Sequence, residues 1–205
     1  MSAGAITLPR LIPTPPPTTQ AEARLRRLVE RIKEDDLQAF DELYRLTRED
    51  VARTLFHLLG ARSDLDDLVQ ETYLRLLKAV KGFRGDSQFR TFLYRVCANV
   101  ALMHLRWWRR RREDLMDAMP ETACDAKDPE AAAQEAESSR LVQRALQRLS
   151  AKKRIVFVYH ELCGMGPEEI AHAVDASYNT VRSRLFHARL EFTQAMRELL
   201  EEGVR

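Results

Sequence analysis

The chain has 205 residues, 45% of them hydrophobic, and a formal net charge of +2, which suits one large domain or two small ones. No apolar run approaches the roughly 20 residues that cross a bilayer, so no direct membrane insertion is expected. Cys97, Cys124 and Cys163 are scattered, without CxxC or Cys/His metal spacing, which argues for a reducing, cytoplasmic setting with Cys97 and Cys163 as buried thiols.

The small net charge hides a segregated pattern. From Arg84 to Arg112 only Asp86 opposes a series of arginines, and from Glu113 to Glu137 only Lys127 opposes a series of acids. Arg182 to Arg189 is basic again. Basic blocks around an acidic connector point to two nucleic-acid contacts and, between them, a segment that avoids or mimics nucleic acid.

The chain begins with Pro9, Pro13, Pro15, Pro16 and Pro17, and residues 1–24 are expected to form an extended, solvated tail rather than a signal peptide. Leu37, Phe40, Leu43, Tyr44, Val51, Leu55, Leu58 and Leu59 then recur at helical spacing. After a break at Gly60 to Asp64, Ser63 and Asp66 resemble a capping box. The next helix carries Leu65, Leu68, Val69, Thr72, Tyr73, Leu76, Leu77 and Val80 on one face and ends near Gly82. A loop through Arg84, Gly85 and Asp86 leads to a long helix from about Ser87 into the Arg109 to Arg112 cluster. Residues 113–138, with Pro120 and Pro129, have too little apolar surface to fold alone. Further helices are expected around Leu141 to Leu149, Ile155 to Leu162, Pro167 to Val174 and Tyr178 to Glu202. Few glycines and no strand-like alternation make the fold all-α, with two small helical domains, 25–112 and 139–205, on either side of a flexible acidic linker.

Pro167 to Phe192 has the spacing of a helix-turn-helix. Ile170 and Val174 face inward from the first helix, and Val181, Leu185, Ala188 and Phe192 from the second. At 100° per residue the opposite face shows Asn179, Ser183 and Phe186, flanked by Arg182 and His187. That composition suits a helix reading a major groove. A plain three-helix packing module with a solvated basic helix is the alternative, which the spacing, the small Ala171 and the arginines disfavour.

In the first domain Phe83, Phe89, Phe92, Tyr94, Trp107 and Trp108 are interleaved with Arg84, Arg90, Arg95, Arg106 and Arg109 to Arg112. Arginines neutralise phosphate and aromatic faces stack on unpaired bases, although individual rings, Phe89 and Phe92 among them, also serve as core. The helix from Leu65 to Val80 differs: Asp66, Asp67, Gln70 and Glu71 beside the outward Leu74 make a poor DNA surface and a plausible protein-docking one.

The run DLDDLVQETYLRLLKAVKGFRGDSQFRTFLYRVCANVALMHLRWWRRRR, Asp64 to Arg112, resembles region 2 of extracytoplasmic-function sigma factors of the sigma-70 family. GPEEIAHAVDASYNTVRSRLFHARLEF, Gly166 to Phe192, resembles their region 4. The two motifs occur in the family's order, and the resemblance spans about Leu37 to Leu200. It implies core RNA polymerase as partner, through the clamp helices of its largest subunit and its flap, with Asp67, Gln70, Glu71 and Leu74 docking on the clamp helices. It implies −10 recognition and melting by Phe83, Arg84, Arg90, Asn99, Arg106, Arg109 and Arg110, with Asn99 at the base pocket. It implies −35 readout by Asn179, Thr180, Arg182, Ser183, Phe186 and His187, and an anti-sigma factor as a further partner.

Three departures stand out. Met103 replaces an acidic residue that often precedes the His-Leu-Arg triplet, Asp175 replaces the usual turn glycine, and His160 and His187 stand where relatives often carry arginine. No nucleophile–base pair, P-loop or carboxylate pair marks an enzyme, and no cofactor, metal or small-molecule substrate is expected. The residues alone leave open a duplex-binding regulator that uses only the second domain.

Overall fold

The computed structural model describes residues 19–114 and 131–203, apart from the side chains of 109, 111–114, 131–136 and 203. The proline-rich stretch to residue 18, and residues 115–130 of the acidic connector with Cys124, lie outside the described residues. Among those described, eight helices and no strand occur.

Helix α1 (Thr19–Lys33) is absent from the expected series. Leu25, Leu28, Val29 and Ile32 form a narrow stripe that is buried, while the remaining surface is rich in arginine. Residues 19–24, expected in the tail, are its first turns, and Glu22 accepts a hydrogen bond from the Phe89 amide. A four-residue apolar stripe among arginines becomes a helix only once it has a core to lie on.

Helix α2 (Leu37–Leu59) starts at Asp36, whose carboxylate accepts from the amides of Gln38 at 2.9 Å and Ala39 at 3.1 Å. It stops at Gly60, whose φ of +88° strains any other residue. Leu37 is turned to solvent, 76% exposed at the helix start, and does not join the core as its spacing suggests.

Helix α3 (Leu65–Val80) is capped differently from expectation: Asp64, not Ser63, holds the cap position. Its carboxylate makes no cap bond because Arg62 holds it with bonds of 2.7 and 3.1 Å. Helix α4 (Phe89–Asp114) runs through the middle of the first half, packed on α1, α2 and α3.

Helices α5 (Ala131–Arg148), α6 (Ala151–Glu161) and α7 (Pro167–Val174) gather around α8 (Tyr178–Gly203). Residues 131–138, expected in the linker, are the opening turns of α5. Arg148 to Glu198 at 2.7 Å, Lys153 to Glu191 at 2.5 Å and Arg189 to Glu161 at 2.7 Å tie α5 and α6 to α8.

The two halves share one continuous apolar core. Helix α7 lies on α4, and α5 and α6 lie on α2. Tyr159 donates to the Tyr94 carbonyl at 2.5 Å with the two rings 5.4 Å apart, and Gln143 meets His57 at 2.8 Å. Cys97 and Cys163 are buried free thiols whose pKa values burial pushes up.

Candidate nucleic-acid and partner interfaces

The helix-turn-helix is built from local rules. Glu169 accepts from the Gly166 amide at 2.8 Å at the start of α7. Asp175 ends α7 in the left-handed region (φ 49°, ψ 58°), a conformation that short polar side chains tolerate. Its own amide and that of Ala176 both return to Ala171, the latter at 3.1 Å. Ser177 then caps α8, accepting from the Thr180 amide at 3.2 Å.

This turn sets the rotation of α8. Val181, Leu185, Ala188 and Phe192 are buried, and Phe157 stacks on Phe192 with ring centres 4.6 Å apart. Asn179, Arg182, Ser183, Phe186 and His187 are exposed together, with Thr180 half-buried at their edge. Phe186 is 60% exposed and Arg182 lies over the Tyr178 ring at 5.8 Å. His160 does not join this face: it is half-buried, with Nδ1 2.9 Å from the Met165 carbonyl, and serves the α6–α7 turn.

On α3, Asp66, Asp67, Gln70 and Leu74 form an exposed strip at helical spacing, with Leu74 62% exposed. Glu71 is half-buried and accepts from Arg75 at 2.8 Å. An acidic rim around a protruding leucine thus stands on the outer side of the first half.

The −10 residues divide. Asn99, Arg84, Arg106 and Arg110 are exposed, while the Arg109 side chain lies outside the described residues. Phe83 is not on that surface: it is 7% exposed, packed against Phe92 at 4.9 Å and Phe89 at 5.8 Å. A loop phenylalanine next to an apolar helix start is drawn into the core, where its area contributes most. Arg90 is half-buried and donates to Asp50 at 2.7 Å, so it joins α4 to α2.

A polar cluster fixes the far end of α4 to the start of α3. The Arg62 guanidinium lies 4.9 Å from the Trp108 ring centre, and His104 Nε2 is 3.7 Å from Asp64. The Arg62 hydrogen bonds hold the Asp64 carboxyl below the usual carboxylate range. Burial, then the Arg62 cation, holds His104 below the usual imidazole range. Of the other residues singled out in sequence, Met103 and Trp107 are 40% and 47% exposed. They follow Asn99 at a four-residue spacing along α4.

Residues 43–112 match the sigma-70 region 2 family and residues 139–192 the sigma-70 region 4 family. The chain is similar to the RNA polymerase sigma-H factor of Pseudomonas aeruginosa, 32% identical over 187 residues, covering 87% of this chain and 96% of that protein. It is also similar to the ECF RNA polymerase sigma-E factor of Haemophilus influenzae, 33% identical over 170 residues, covering 79% and 89% of the two chains. Among solved structures, the fold resembles the sigma factor RpoE from Bartonella quintana, crystallised with the anti-sigma factor NepR. That likeness has a TM-score of 0.64 at 20% identity, over 78% of this chain and 98% of that one. No helix among the described residues is long and apolar enough to cross a membrane.

Proposed function

The chain belongs to the sigma-70 family of RNA polymerase sigma factors, in its extracytoplasmic-function branch, and from that premise we propose how its surfaces divide the work of initiation. As a sigma factor it directs core RNA polymerase to promoters. Region 2 and region 4 are both present in order, so a regulator acting through the helix-turn-helix alone is not favoured. Sigma factors are initiation factors, and the phosphodiester chemistry belongs to the polymerase, in the cytoplasm.

The observation that carries the division is the separation of the exposed surfaces by chemistry. The α3 strip of Asp67, Gln70, Glu71 and Leu74 is acidic and apolar, which suits a basic protein partner and repels phosphate. The α8 face is free of acids and offers Asn179, Arg182 and Ser183 as hydrogen-bonding side chains, which suits base edges in the −35 major groove. Asn99 with Arg84, Arg106 and Arg110 takes the −10 element. An anti-sigma protein, as in the Bartonella complex, is the proposed regulator.

The test is reconstitution of the full chain with core polymerase and run-off transcription from a random promoter library. Glu71→Lys is expected to weaken core association while leaving the selected promoter sequence unchanged. Asn99→Ala is expected to change the preferred −10 base at unchanged core affinity. If either variant shows the other's phenotype, the division of surfaces is wrong.

A further inference from the structure

The promoter and polymerase surfaces leave two features without a role, the arginines of α1 and the inward-turned Arg90. Both line one cleft. Arg24, Arg27 and Arg31 stand three and four residues apart and exposed, so they share one side of α1. Glu42 and the 42% exposed Leu46 of α2 stand across from them, and Arg90 of α4 completes the lining. The floor is apolar, formed by the buried Leu25 and Leu28. The cleft encloses about 650 Å³, inside the roughly 300–1,000 Å³ typical of small-molecule sites.

Acids orient these cations without exhausting them. Glu42 accepts from Arg24 at 2.6 and 3.0 Å, Asp36 holds Arg31 at 2.8 and 3.0 Å, and Asp50 holds Arg90 at 2.7 Å. A guanidinium has five N–H donors, and no acid here takes more than two. Arg27 has no acid partner among the described residues, and its Nε reaches the Ala23 carbonyl of its own helix at 3.4 Å. Four arginines therefore stand against three acids, with one positive charge in excess and most donors unused. Such donors match a phosphate, which a guanidinium binds through two parallel bonds.

We propose that this cleft binds a small phosphorylated molecule of nucleotide size, its phosphates on Arg24, Arg27 and Arg31 and its body against Leu25, Leu28 and Leu46. A phosphate group carries about −1.5 to −2 charges and three acceptor oxygens, which serves several guanidinium groups at once better than a carboxylate does. A protein occupant would need about 800 Å² on each side, whereas the apolar side chains here are three leucines and an alanine. The other side of α1 reaches the −10 loop. Glu22 accepts from the Phe89 amide, and Arg26 donates to the Ser87 carbonyl at 3.2 Å. A ligand joining α1 to α2 therefore steadies residues 87–89, where the loop of Arg84 enters α4. That consequence rests on the promoter-opening reading above; binding itself does not.

The first measurement is calorimetric titration of the full chain, at fixed salt, with GDP, ADP and inorganic pyrophosphate. The nucleotides are expected to bind more tightly than pyrophosphate. Arg27→Ala should weaken nucleotide binding by about tenfold, the scale of a lost hydrogen bond to a charged group. Leu46→Ala should weaken the nucleotides and leave pyrophosphate unchanged. Both side chains are exposed, so melts of the two variants without ligand should match the parent. Absence of binding by all three probes overturns the site, and so does equal nucleotide affinity in parent and Arg27→Ala. A single-stranded oligonucleotide whose binding falls with Arg27→Ala, where no nucleotide binds, makes α1 a DNA contact instead. The second measurement counts open complexes of the reconstituted holoenzyme with and without GDP, which polymerase does not incorporate. GDP should raise their number with the parent and not with Arg27→Ala, and no change with the parent overturns the link to the −10 loop. A parent holoenzyme that opens no promoter refutes the promoter reading and leaves the titration result standing.

Discussion

Arg154 on α6 donates to the carbonyl of Leu58 on α2 at 2.6 Å, so a buried cation of the second half caps a helix of the first. The same guanidinium binds the Gln147 side chain at 2.6 Å and the carbonyls of Gln147 and Leu149 at 3.1 Å. Burial lowers its pKa to about 10, still far above neutrality, so it remains charged. A cation at a helix C-terminus also lies well with the helix dipole.

Arg154→Met keeps the stem but leaves buried carbonyls unpaired. The variant should lose on the order of 1–3 kcal/mol of unfolding free energy. Urea unfolding followed by circular dichroism measures it, and an unchanged midpoint would show that water replaces the guanidinium.

His57 supplies a pH dependence. Burial, then the Arg53 cation, lowers its pKa from 6.5 to about 4, and the Gln143 amide nitrogen lies 2.8 Å from Nδ1. Because the folded pKa is depressed, the unfolded chain binds the proton more tightly. Stability is full above pH 6.5 and falls as the pH drops towards 4, by on the order of 2–3 kcal/mol. His57→Gln should flatten this window in thermal melts taken between pH 4 and 7. An equal slope in parent and variant would remove His57 as the source.

Phe83→Ala tests the correction to the −10 list. A buried ring removed from the Phe89 and Phe92 cluster should cost about 3–5 kcal/mol of stability. A merely exposed, base-catching ring would cost almost nothing in the melt, so a variant with the parent's melting temperature contradicts the burial.

Arg182→Ala concerns the second half. Arg182 stands in the first turns of α8 over Tyr178, outside the core. Its loss should weaken −35 binding by about 1–3 kcal/mol and relax preference at one position, with unchanged folding. Footprinting at fixed salt decides it, and a loss spread evenly over all sequences would make Arg182 a phosphate contact.

Apolar spacing, wherever it was long and regular, was enough to place the helices and their inward faces. Leu68, Val69, Tyr73 and Leu76 on α3, and Val181, Leu185, Ala188 and Phe192 on α8, are buried as their spacing requires. The outward faces of those helices, and the polar turn residue Asp175, follow from the same arithmetic. The tertiary structure decided what periodicity cannot express. Whether Phe83 enters a core or meets a base depends on what lies across the loop, and α1 is a helix because α2 and α4 supply the surface its short stripe needs. The junction of the halves through Arg154, Tyr159 and Gln143 joins residues 65 to 96 positions apart in sequence. Local propensity carries no information about contacts at that range, which form only when burial of both surfaces outweighs the entropy of closing the chain.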